Sequence, residues 1–223
     1  MEKSDLKENS KLGRNYSFYW SASDHVSLWL AYPLYGEWAE TNVRRKDNYD
    51  SDPLIDDAQQ AAPGGYSQYS RGHQIPAADR RSSRMMNNSV MYMTNITPQE
   101  SGFNSGIWGS LEQKVRTWAD NSDEFYVVTG CVVKNSTKTV TSNGLTITVP
   151  THYYKALLRK KGSTYTACAY YYAHFGGKSS FAESDRISID KLEEYTGIDF
   201  FPNLEGVVGT TKYESIESTA SAF

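Results

Sequence analysis

Only two of the 223 residues are cysteine and seven are proline. Cys131 and Cys168 are too few for a disulfide scaffold and have no neighbour at metal-ligand spacing, which excludes a zinc knuckle. Each sits in a strand-like run, 127–133 and 166–170, so the pair reads either as buried free thiols or as one cross-strand bridge. No apolar stretch nears the roughly 20 residues that a membrane helix needs, and the mean hydropathy is −0.62. The opening Met1-Glu2-Lys3-Ser4-Asp5 lacks the basic-then-apolar order of an export signal. Net charge is also small, −3, which by itself argues against a nucleic-acid partner.

Aromatic residues are plentiful: 17 Tyr, 8 Phe and 5 Trp supply ample core material and rule out global disorder. The charge, moreover, is unevenly spread. Residues 183–223 carry nine acidic and three basic residues, a balance of −6, so the rest of the chain is at +3. Between Arg71 and Arg116 six basic residues face three acidic ones. A local basic cleft on an acidic body is consistent with this, as is an ordinary solvated face.

The length suits one domain, over 15–223, with 1–14 as a flexible polar lead-in. The first clear strand is 25–32, stopped by Pro33. Clustered Asp, Pro, Ala and Gly make 47–65 a long surface loop. Trp108, Leu111, Val115 and Trp118 recur at helical spacing and predict a helix over 106–118 with one buried stripe. Strands follow over 125–133, 137–149 with a turn at Ser142-Asn143-Gly144, 153–159 and 165–175. Ser188 is placed to cap a helix over 189–196 that stops at Gly197. One helix interrupting many strands indicates an α+β fold.

Chemistry-bearing residues cluster in the middle of the chain. Ser70-Arg71-Gly72-His73 sets an arginine beside a histidine, a phosphate grip next to a proton acceptor, although alone it reads first as a structural histidine beside a surface arginine. Then come Asn95-Ile96-Thr97-Pro98-Gln99, Asn104, Trp108, Leu111, Glu112 and Arg116. If Asn104 opens a regular helix, Glu112 lies roughly 12 Å along it and about 80° around it, too far for both to ligate one ion directly. A metal held by Asn104 would then meet Glu112 only through water, which suits magnesium. The competing readings are a helix cap for Asn104 and an i,i+4 ion pair with Arg116 for Glu112. His25, His152 and His174 lie in or beside strand-like runs and read as packed or half-exposed residues, and Tyr153-Tyr154 and Tyr170-Tyr171-Tyr172 read as core and cross-strand packing, with base or sugar stacking as the alternative.

Taken together these residues resemble the DNA/RNA non-specific endonuclease family. Its signature Asp-Arg-Gly-His, Asn-x-x-Pro-Gln and Asn-x-x-x-Trp-x-x-Leu-Glu is matched at Arg71-Gly72-His73, at Asn95 with Pro98-Gln99, and at Asn104, Trp108, Leu111 and Glu112. Arg45-Lys46-Asp47-Asn48-Tyr49 before Asp52-Pro53 is similar to the family's upstream arginine segment. The resemblance implies a ββα-metal core on a central antiparallel sheet with a few packed helices. It implies hydrolysis of DNA and RNA phosphodiesters to 5′-phosphate products. His73 would be the general base, Asn104 the direct ligand of Mg2+ (Mn2+ substituting), and Glu112 the holder of its water. Arg71, Arg45 and Arg116 would bind substrate phosphate, and Asn95 would be a supporting amide. Arg44 competes with Arg45 for its role. The resemblance also implies a secreted or periplasmic location, no membrane partner, and admits a homodimer. One departure stands out: Ser70 occupies the family's usual Asp position, so charge that would tune His73 or an arginine is absent. Ser70 and the tyrosines motivate a rival reading, a catalytically weakened nucleic-acid-binding or glycan-binding module, and a third is an enzyme narrowed to one substrate, such as single strands.

Overall fold

The computed structural model describes residues 5–8 and 11–223, with side chains from Asn15 onward. Strands run in chain order as β1 (Asp5–Glu8), β2 (Lys11–Arg14), β3 (Ser17–Ser21), β4 (Val26–Pro33), β5 (Ser70–His73), β6 (Ile96–Gln99), β7 (Glu124–Val132), β8 (Thr139–Ser142), β9 (Leu145–Thr148), β10 (His152–Lys161) and β11 (Thr164–Ala173). Helices are α1 (Gly36–Ala39), α2 (Arg84–Ser89), α3 (Ser101–Phe103), α4 (Gly109–Asp120), α5 (Ile189–Thr196), α6 (Glu205–Val208) and α7 (Thr210–Ser218). Five strands form an antiparallel sheet in the order β11-β10-β7-β4-β3, and β1-β2, β5-β6 and β8-β9 are separate hairpins. The α+β class expected from the sequence is the observed one. None of the described helices is long and apolar enough to cross a membrane.

Within the segment read as a lead-in, Asp5–Glu8 pairs with Lys11–Arg14, while residues 1–4, 9 and 10 lie outside the described residues. The strand, helix and turn positions read from spacing agree with the structure to within a few residues. Asn143 and Gly144 both take positive φ (55° and 75°), the conformation a two-residue hairpin turn demands. Ser188 accepts from the Lys191 N–H, and Gly197 ends α5 in the left-handed region at φ 69°.

Period-two alternation makes the central sheet two-sided. On β10, Tyr153, Lys155 and Leu157 alternate with Tyr154, Ala156 and Leu158, and all six are buried. Tyr153 and Leu157 join a core with Trp108, Leu111 and Val115, the α4 side. Tyr154, Ala156 and Leu158 pack instead with Ile189, Leu192, Phe200, Leu204 and Ile216 from the C-terminal helices. The tyrosine pairs therefore do core packing, as read. Both cysteines are free and buried. A bridge between them is excluded by register, since Cys131 lies opposite Tyr153 and Cys168 opposite Leu157, on either side of β10.

The 47–65 loop departs from the sequence reading, because parts of it are interior. Asp52 and Gln60 are fully buried. The Asp52 N–H donates to Gln60 Oε1 (2.7 Å), Gln60 Nε2 donates to the Asp52 and Ile55 carbonyls, and Thr94 Oγ1 donates to the Asp52 carboxylate. These bonds satisfy polar groups that burial would otherwise leave costly.

Candidate active site

The β5-β6 hairpin places His73 opposite Ile96 and Arg71 opposite Pro98. Gly72 between them is dictated by close approach: a Cβ there would lie 2.2 Å from Gln99 Cδ. Asn95, fully buried, receives the Ile75 N–H on Oδ1 (2.8 Å) and donates through Nδ2 to the Ile75 and Val90 carbonyls (3.0 and 2.8 Å). Its amide is spent on holding the chain that leaves His73, so it acts on the site through the backbone.

His73 is 8% exposed and its Nε2, although buried, has no hydrogen-bond partner. The Arg71 backbone favours a proton on the ring, and with that proton on Nδ1 the buried Nε2 lone pair is bare. Burial first, and the Arg45 charge second, push its pKa down to about 3. It is neutral, a proton acceptor, throughout the physiological range.

Around it lie the upstream arginines. Arg45 Nη2 donates to the Tyr49 hydroxyl (3.1 Å), and its Nε pairs with Asp47 Oδ1 (2.7 Å). The Arg71 guanidinium sits 3.9 Å from the centre of the Tyr49 ring and donates through Nη1 to the Pro63 carbonyl (3.0 Å). That same ring is 5.7 Å from the His73 ring. Arg45, rather than Arg44, is thus the arginine joined to this group; Arg44 offers its backbone carbonyl to Arg84 (2.8 Å).

One residue, Glu100, separates β6 from α3. Its N–H donates to His174 Nε2 (2.7 Å), and His174 Nδ1 donates to the Pro150 carbonyl (2.7 Å), so a histidine read as merely packed satisfies the entrance of the helix. Phe103 stacks on Trp108 at 5.7 Å and lies 5.2 Å from Tyr153, fastening this turn to the core. The sequence reading needs correction here: Asn104 does not open the helix, which starts at Ser101, and 104–108 form a π turn with non-helical φ/ψ at Gly106 before α4 begins. Because the chain is kinked at Gly106 (φ −93°, ψ −109°), the regular-helix offset of about 80° between Asn104 and Glu112 does not apply.

Asn104 is also not an N-cap, and its half-buried carboxamide makes no hydrogen bond with the described residues. Nor does Glu112 pair with Arg116. Arg116 Nη1 binds Asp79 Oδ1 (3.0 Å), whose other oxygen accepts from the Tyr32 hydroxyl (2.9 Å). Burial pushes the Glu112 carboxyl up, against the pull of Lys155, Arg116 and Arg45. Arg45 therefore acts electrostatically on both His73 and Glu112. Asn104 and Glu112 are hard oxygen donors whose side chains make no hydrogen bond or ion pair with the described residues, although Lys155 and the arginines act on Glu112 at longer range, a donor set that suits a small, hydrated divalent cation. The one further acidic cluster among the described residues, Glu193, Asp199 and Glu217, includes none of the histidines.

Three contributors escaped the sequence reading. Tyr49 was part of the arginine segment but had no role, and Asp79 was counted only as charge. Lys155, 1% exposed, donates to Thr129 Oγ1 (3.1 Å) and to the carbonyl of Gln74, next to His73 (3.3 Å), under the Trp108 ring at 4.6 Å. A lone cation inside the aliphatic run Tyr153–Leu158 was its only signal.

Known proteins are similar to this chain in sequence. The chain is 30% identical over 215 residues to a nuclease of Nostoc sp., covering 91% of this chain and 75% of that one. It is 27% identical over 195 residues to a nuclease of Serratia marcescens, covering 82% and 71%. Against the mitochondrial nuclease EXOG of Danio rerio the figures are 28% over 212 residues, 88% of this chain and 62% of the relative, so it spans about three fifths of that protein's length. A crystal structure of an EndoG/EndoGI complex shares the fold, with a TM-score of 0.73 at 22% identity, covering 83% and 82% of the two chains. The family model for DNA/RNA non-specific endonucleases matches residues 3–206, nearly the whole chain including every residue of the site, and to that family the chain belongs.

Proposed function

We propose that this protein is a Mg2+-dependent, sugar-non-specific endonuclease that cuts DNA and RNA to 5′-phosphate ends, with residues 15–223 as one catalytic domain. The observation that carries the reading is the bare, buried and neutral Nε2 of His73 beside two arginines. Family membership supports it.

In this reading Nε2 takes a proton from water, whose oxygen attacks phosphorus as the bond to O3′ breaks. Arg45, Arg71 and Arg116 bind phosphate oxygens and offset the charge that grows on them in the transition state. Asn104 and Glu112 would hold the cation, Asn104 directly and Glu112 through water, and Asn95 keeps the His73 strand in place. When bound, magnesium would supply stabilisation of the charge on the departing oxygen. Affinity comes from phosphate contacts and falls with salt, and sequence readout is slight. On the family resemblance alone, the enzyme works outside the cytoplasm.

The test is supercoiled plasmid with the purified protein. Magnesium should permit cleavage, EDTA should stop it, and a labelled product should carry phosphate at its 5′ end. Intact plasmid across pH 6 to 9 with magnesium or manganese, while the protein still retards it on a gel, would favour a binding module.

A further inference from the structure

Tyr49 lies at the meeting point of three side chains that the site requires. Its hydroxyl receives Arg45 Nη2 at 3.1 Å, its ring carries the Arg71 guanidinium at 3.9 Å, and its ring centre is 5.7 Å from that of His73. The next residue is fixed on both sides, for the Asp50 N–H donates to the Met91 carbonyl (3.3 Å) and the Met93 N–H to the Asp50 carbonyl (3.0 Å). Tyr49 is therefore an anchored platform in an otherwise irregular stretch. Arginine side chains are flexible, and phosphate recognition through their planar fork needs a set orientation. A cation over an aromatic face and a hydrogen bond to a phenol oxygen each leave guanidinium N–H groups free for an anion. Arg71 further spends Nη1 on Pro63, and Arg45 spends Nε on Asp47.

We propose that Tyr49 is a positioning residue that orders Arg45 and Arg71 as one phosphate clamp beside His73. This rests on the phosphate-binding reading of the site. The two interactions are separable: Tyr49→Phe keeps the ring under Arg71 and removes only the acceptor for Arg45, whereas Tyr49→Leu removes both.

The experiment measures binding of a fluorescein-labelled 10-nucleotide single strand in EDTA, where hydrolysis does not compete, over a series of salt concentrations. Breaking one arginine–phosphate pair lowers the slope of log affinity against log salt by about 0.7 for single strands. Tyr49→Phe should lower it by up to about 0.7 and weaken binding roughly threefold, and Tyr49→Leu by up to about 1.4 and roughly tenfold. With magnesium, Tyr49→Phe should raise KM by a similar roughly threefold factor while kcat stays within about twofold, a split that simple loosening of the fold would not give. Wild-type slopes in both variants overturn the proposal, as does a Tyr49→Phe that loses kcat with KM unchanged. If the wild type binds in EDTA but leaves plasmid whole with magnesium, hydrolysis is wrong and the slopes still decide Tyr49. If it fails to bind the strand at all, both readings fall.

Discussion

The two faces of the central sheet are opposites in charge and in duty. The face toward α4 buries a lysine, lies over His73 and gathers Arg45, Arg71 and Arg116. The far face is covered by α5, α6 and α7, drawn from the segment whose balance is −6. An acidic pI near 5.8 thus coexists with a basic site because five strands of backbone stand between the two sets of charges. Net charge alone would have argued against a nucleic-acid partner; its distribution across the sheet removes that objection.

The largest expected effect belongs to the site face. His73→Ala should lower kcat/KM for plasmid cleavage by about 10²- to 10⁴-fold, the usual worth of a general base. Truncation also removes the ring packing against Tyr49, so the melting temperature is followed in parallel and the loss of activity should be seen in protein that is still folded. Variants of acidic residues on α5 and α7 should leave cleavage unchanged, and a comparable loss from them would erase the contrast between the faces.

Next in size is the buried cation that ties β10 to the His73 strand. Lys155→Met leaves the Gln74 carbonyl and Thr129 hydroxyl without their donor and Glu112 without its opposing charge. Breaking such a buried set costs about 3 kcal/mol, readable in urea denaturation. Stability equal to wild type would show that Lys155 is not part of this support.

On the far face the expected change is smaller and opposite in sign. Burial pushes the Glu217 carboxyl up to about 7, with Glu193, Asp190 and Asp199 adding to it. Since the folded value lies above the unfolded one, the native state binds more protons between about pH 4.5 and 7, so stability falls as pH rises through that window. Glu217→Gln should therefore melt higher than wild type at pH 8, by roughly 2–4 °C for each kcal/mol relieved, and lose that advantage below pH 4.5. The same gain at both pH values would contradict the buried-carboxyl account.

The smallest effect is an expected flatness. With His73 held near 3, kcat/KM should show no His73 protonation break at the ordinary histidine value near 6.5. A break that disappears in His73→Ala would mean that burial and Arg45 do not depress it.

Much of this was legible where the determinant is local. Ser188 and Gly197 bound α5 because capping needs only neighbouring residues, and the Trp108, Leu111, Val115 and Trp118 stripe follows from spacing alone. The π turn was not legible: regular helix arithmetic cannot register the irregular backbone at 104–108, which separates Asn104 from the helix that carries Glu112. The buried part of the loop was missed because Asp52 is satisfied by Gln60 and Thr94, eight and 42 positions away. Most family-signature residues could be read from their motifs, whereas Tyr49 and Lys155 acquire meaning only once β5, β6, β10 and the upstream loop are assembled. The Glu112–Arg116 pair, plausible by helical spacing, gives way to Asp79, a partner 37 residues distant.

The most direct test is a crystal of the protein soaked with manganese and read by anomalous scattering. A single ion on the Asn104 carboxamide oxygen, reached by Glu112 only through water and lying on the Nε2 side of His73, is the expected result. An ion elsewhere, or one ligated directly by both Asn104 and Glu112, would contradict it.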